Sequence, residues 1–176
     1  ALELVDAPAG LFLALQAGWW AAVGGAASGR PLLGAAATAS ILAVQLWATA
    51  AENRRGALRL ALGLAIVGTL LDSLLVAVGV VRFAGSAHGT APIWITVLWA
   101  QFALALPALA RIESLRGVRM ALLGAAGGPL AYWGGVRLGA AALPAGTAPG
   151  LLSLAVEWGL VLPLAVRAES VWRKRT

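Results

Sequence analysis

The chain has no cysteine, so it can form neither a disulfide framework nor a thiolate metal site. It has one histidine, His88, which argues against zinc or haem ligation. Its one lysine, Lys174, lies outside every apolar run, which excludes a retinal Schiff base. No metal and no cofactor is therefore expected. Charge is scarce as well. Only 11% of residues are charged, against about a quarter in soluble domains. What fills the space is apolar: 61% hydrophobic residues and a mean hydropathy of +0.88 over 176 residues. A soluble fold of this length could not hide so much apolar surface. The solvent is lipid, and residues 1–176 read as a single all-α transmembrane domain.

The net charge of +6 and pI near 11.5 would also suit a nucleic-acid binder. The placement of the basic residues argues against that partner. They sit in short loops between apolar runs, where the positive-inside rule puts them. The start, Ala1-Leu2-Glu3-Leu4-Val5-Asp6, is acidic and lacks the basic region of a secretory signal peptide.

A span needs roughly 20 apolar residues. Six candidates follow, at about 8–25, 32–51, 58–81, 92–110, 118–142 and 150–166. The loops between spans two and three and between four and five, with the tail, carry Arg54, Arg55, Arg59, Arg111, Arg116, Arg119, Arg167, Arg173, Lys174 and Arg175. The opposite loops carry only Arg30 and Arg82. Both termini are thus expected in the cytoplasm.

The fifth span is unusual. From Gly124 to Gly139 it holds many glycines, with Pro129, Tyr132, Trp133 and Arg137. Such residues are tolerated in lipid where neighbouring helices satisfy the freed backbone groups. This span is expected to be central, covered by protein, and kinked or broken near Pro129. Gly124/Gly128 and Gly135/Gly139 have the spacing that allows close helix approach.

Charged groups inside spans usually face a bundle interior or a cavity. Asp72, Arg137 and Glu157 are such groups. By counting along each helix, Gln16, Asp72, Gln101 and Glu157 share one depth near the midplane. Arg137 reaches that layer if its side chain tilts toward the helix N-terminus. An Asp72–Arg137 ion pair is expected, with Glu157 as the rival partner. Trp19, Trp20, Trp99, Trp133 and Trp158 lie close by in depth, too deep for an interfacial belt in the last three cases. Trp94 and Trp172 read as belt residues. An offset of 85 relates Gln16 to Gln101, Asp72 to Glu157 and Trp47 to Tyr132, as an inverted repeat would.

The chain resembles a membrane family catalogued as domain of unknown function 2878. The resemblance rests on Gly18-Trp19, on Gly68-Thr69-Leu70-Leu71-Asp72-Ser73-Leu74-Leu75 with Gly79, and on Pro92-Ile93-Trp94 and Leu98-Trp99 with Phe102. It rests most on Gly127-Gly128-Pro129-Leu130-Ala131-Tyr132 and Arg137-Leu138-Gly139-Ala140. After Phe102, relatives carry Thr, Asn and Ser where this chain has Leu104, Ala105, Pro107 and Leu109. The resemblance implies a bacterial inner-membrane protein, set beside fatty-acid-modifying enzymes, and supplies no activity.

Three functions remain in contention. One is a small ligand-binding or transport protein with a site formed by Gln16, Trp19, Asp72, Trp99, Gln101, Tyr132, Trp133, Arg137 and Glu157. A second is an accessory subunit of a membrane-lipid modifying system. The third is a membrane enzyme using Asp72 and Glu157 as an acid–base pair. The partners implied are membrane lipids, a hydrophobic small molecule, and a membrane protein or a second copy of the chain.

Overall fold

A computed structural model describes residues 8–86, 89–112 and 117–173, the side chains of residues 8, 9, 172 and 173 apart. The acidic start, His88, Glu113, Arg116, Lys174 and Arg175, and the side chains of Trp172 and Arg173, lie outside the described residues. The helices are α1 (Pro8–Ala27), α2 (Pro31–Ala48), α3 (Ala51–Ala77), α4 (Ile93–Ala103), α5 (Leu106–Ala110), α6 (Val118–Leu138) and α7 (Thr147–Arg173). Two short strands, β1 (Arg82–Phe83) and β2 (Ala141–Ala142), pair antiparallel with Arg82 opposite Ala142.

Five helical segments are long and apolar enough to cross a membrane: Gly10–Ala27, Pro31–Ala48, Ala51–Ala77, Ile93–Ala110 and Thr147–Val171. Their outward faces carry large apolar side chains such as Leu32, Trp47, Ile66, Leu70 and Leu152, all more than half exposed. In water such faces would associate; in lipid they are solvated. Val118–Leu138 is long enough to cross, but its glycines and two arginines dilute it.

Local chemistry explains most of the boundaries. Pro31 stands at the start of α2, where its missing N–H breaks no intrahelical bond. Gly139 ends α6 in the left-handed region at φ 88°. The Ala140 N–H then donates to the Gly135 carbonyl at 2.9 Å, a closing bond that needs the glycine there. Glu52 to Gly56, expected as a loop, belong to α3 instead. Arg54 supports this turn by donating from Nε to the Leu46 carbonyl and from Nη2 to those of Trp47 and Thr49. These include carbonyls that the end of α2 leaves free.

The expected break in the fifth span is not found. α6 runs as one helix with Pro129 inside it. The interruption lies in the fourth span. After Ala103 the chain turns through i→i+3 bonds, Leu104 N to Gln101 O and Ala105 N to Phe102 O, before α5. Pro107 is the cause: it has no N–H for the Ala103 carbonyl, and it sits comfortably in the first turn of a new helix.

The central element also differs from expectation. Over its 18 most apolar residues the fourth span is 44% buried, against 22% over the same length in each of the other four crossing segments. α4 packs on α1, α2 and α3, while α5 packs on α7. α1 with α2, and α6 with α7, form the other close pairs. The α6 glycines do not surround that helix with protein. Gly124 and Gly128 are buried toward α7, while Val118, Leu122 and Leu130 are exposed on other faces.

Candidate polar and aromatic site

Gly68 and Asp72 lie four residues apart on α3, on one face. A side chain at Gly68 would collide with the Trp99 ring. The glycine therefore lets the indole of α4 lie against α3. One turn along, the Trp99 Nε1–H donates to Asp72 Oδ2 at 2.7 Å. The same construction recurs on α6. Gly124, Gly128 and Tyr132 follow at four-residue steps. A side chain at Gly128 would collide with the Trp158 ring, and one at Gly124 with the Trp158 carbonyl. Further along that face the Tyr132 hydroxyl donates to Asp72 Oδ1 at 2.6 Å.

The two indoles then stack. Trp99 and Trp158 have centroids 4.7 Å apart and planes 9° apart. Phe102 stands edge-on to both. Phe83 from β1 packs at 6.0 Å on Tyr132 and at 5.6 Å on Trp94. Asp72, fully buried, is held among aromatic rings by two neutral donors. A buried carboxyl in this setting is costly unless hydrogen-bonded, and here both oxygens are.

Beside this cluster is a cavity of about 1210 Å³. Trp19, Gln45, Asp72, Trp99, Tyr132 and Trp158 line it, with Phe83 and Trp94. Arg55, Arg59 and Arg111 also line it, toward the end where α3 begins. Most of its wall is apolar.

Several expectations need correction. Asp72 and Arg137 are not partners. The Asp72 oxygens are taken by Trp99 and Tyr132, and Arg137 is exposed in the last turn of α6. A cation there interacts favourably with the helix C-terminus. Gln16 is exposed on α1 rather than turned inward. Gln101 instead donates from Nε2 to the Ala14 carbonyl at 2.8 Å and to Gln45 Oε1 at 3.1 Å. Gly18 makes room for that amide, since a side chain there would strike it. With Gln16 and Trp47 exposed, and Gln101 and Tyr132 engaged inside, the offset of 85 relates residues in unlike surroundings. Trp94 is no belt residue. It is 2% exposed, and its Nε1–H donates to the Ala84 carbonyl.

Of the remaining site residues, Trp19 is half-buried, lines the cavity and stands edge-on to Trp20 at 5.1 Å. Trp133 is half-buried away from the cavity lining. Glu157 stands one residue before Trp158 on α7 and also does not line the cavity. Its two carboxyl oxygens are buried with no hydrogen-bond partner among the described residues. Gln45, Phe83, Phe102 and the three arginines of the cavity were not among the site residues expected from sequence. Gly68 and Gly128 carried the missing signal for the indole stack: each is a notch for a tryptophan.

These features define a helical multi-pass membrane protein with a polar and aromatic interior. The chain belongs to the family of proteins of unknown function DUF2878, which it matches over residues 9–164. No curated protein and no solved structure matches it.

Proposed function

We propose that this chain is a six-span membrane protein that binds, and serves to carry, a small hydrophobic molecule in the cavity beside Asp72. α6, the fifth span in chain order, crosses together with the five more apolar segments, and both termini face the cytoplasm. The observation that carries the reading is the cavity. Its volume of about 1210 Å³ exceeds the roughly 300–1,000 Å³ of most small-molecule pockets. Its composition also fits: a mostly apolar wall with a few convergent polar groups, Asp72, Tyr132 and Gln45. The Trp99–Trp158 stack gives the wall a flat, preorganised face.

The acid–base reading has less support. Both Asp72 oxygens are engaged by donors, and Glu157 does not line the cavity. The accessory-subunit reading has no specific observation in its favour.

The test is extraction of the purified protein and mass spectrometry of what it carries. Gly127 lines the cavity, and a Cβ added there meets no neighbour within 4 Å. Gly127→Phe is therefore expected to fold while intruding on the space. A molecule carried by the wild type and lost from Gly127→Phe supports the reading. Equal extracts from both proteins, with nothing beyond bulk lipid, contradict it.

A further inference from the structure

We propose that the ligand is a long-chain anionic amphiphile, its aliphatic chain lying along the aromatic wall and its acidic head held by Arg55, Arg59 and Arg111. This rests on the cavity being a binding site, as proposed above, and adds the chemical class.

The shape comes first. On α3, Asp72 lies seventeen positions after Arg55, and both line the same cavity. At helical rise this is roughly 26 Å. One leaflet of a bilayer offers a chain about half of the ~30 Å hydrocarbon core. The cavity is thus long enough for a membrane-length alkyl chain, and much longer than a compact metabolite needs.

The polarity comes next, and it is one-sided. The far wall is Trp99, Trp158 and Phe102 with the hydrogen-bonded Asp72. Both oxygens of Asp72 already accept from Trp99 and Tyr132, so that end offers an anionic head no free donor from these two groups, and the rings would pack a chain. The near end has Arg55, Arg59 and Arg111, all exposed side chains that can swing to a ligand. Glu52 and Glu169 also line this end, and the three arginines outnumber these two carboxyls, which leaves it net positive. Guanidinium groups present paired donors that match a carboxylate or a phosphate. Charge at one end and rings at the other fix the orientation of the occupant, with its head at the rim.

Binding of tritiated palmitate to the full chain in neutral maltoside micelles tests this, with unlabelled competitors. Hexadecyl phosphate should compete about as well as palmitate, because the rim reads negative charge rather than one acid. Hexadecanol and hexadecyltrimethylammonium should compete at least about tenfold more weakly. The double variant Arg59→Gln/Arg111→Gln should lose roughly tenfold in palmitate affinity, a change of about one decade in Kd, while its affinity for hexadecanol stays the same. Those arginines are exposed, so the variant should fold; an unchanged unfolding temperature checks this. If hexadecanol binds as tightly as palmitate and the arginine variant changes nothing, the anionic class is wrong while the cavity remains a site. If no chain binds at all, and Gly127→Phe behaves as wild type, both readings fall.

Discussion

Tyr132 on α6 donates its hydroxyl to Asp72 on α3 at 2.6 Å, joining two helices that are far apart in sequence. The carboxyl takes its second hydrogen bond from Trp99 on α4. Three helices therefore meet on one side chain, and none of them contributes a cation.

This arrangement makes a prediction for stability in detergent. Tyr132→Phe removes one donor from a buried acceptor and should cost about 1–3 kcal/mol. Asp72→Ala strands two donors and should cost more. In a double-mutant cycle the two changes should be coupled by roughly 0.5–3 kcal/mol. Arg137→Ala should stay within about 0.5 kcal/mol, because that side chain is exposed and the carboxyl is bonded to Trp99 and Tyr132 instead. Thermal unfolding of the four variants checks this. A large effect of Arg137→Ala would restore the ion pair expected from sequence.

The neighbouring glycines of α6 should respond in opposite ways. Gly128→Ala drives a methyl group into the Trp158 ring, and such overpacking costs about 1–3 kcal/mol. Gly127→Ala meets nothing and improves helix propensity, so it should be neutral or gain up to about 1 kcal/mol. Denaturation midpoints of the two single variants decide between these outcomes.

The glutamines divide similarly. Gln101→Ala removes a 1% exposed amide that ties Ala14 to Gln45. It should lower stability by about 1–3 kcal/mol. Gln16→Ala, on an exposed face, should change it by less than about 0.5 kcal/mol. Equal effects in unfolding experiments would contradict the placement of the two side chains.

What could be read from the chain alone follows from periodicity and cost. Long apolar runs separated by arginines located each long helix, but α3 begins seven residues before the expected start and α7 ends seven after the expected end, because the helices continue through the charged turns that hydropathy leaves out. The expense of a carboxyl in hydrocarbon marked Asp72 as an inward group. Depth along the helix did not give the helix face, so Gln16 and Gln101 looked alike though only one is buried. Charge suggested an arginine partner for Asp72, while the partners are an indole and a phenol, which carry no charge pattern to search for. Two prolines in similar spans also had different effects. Pro129 is carried within a helix, whereas Pro107 begins a new one.

Membrane topology can be tested through the absence of native cysteine. Ser28→Cys and Ala145→Cys lie in turns on the side with few arginines, and Asn53→Cys lies beside Arg54 and Arg55. In intact cells an impermeant maleimide should label the first two and spare the third. The reverse pattern would invert the topology, and labelling Ser28 and Asn53 alike would remove the second span.

The most direct test of the central claim is a crystal structure of the protein purified with its native lipids. The prediction is elongated density in the cavity, running from the Trp99–Trp158 stack toward Arg55, Arg59 and Arg111, with Asp72 still bound by Trp99 and Tyr132. Helices closed over a filled interior, with no cavity beside Asp72, would contradict it.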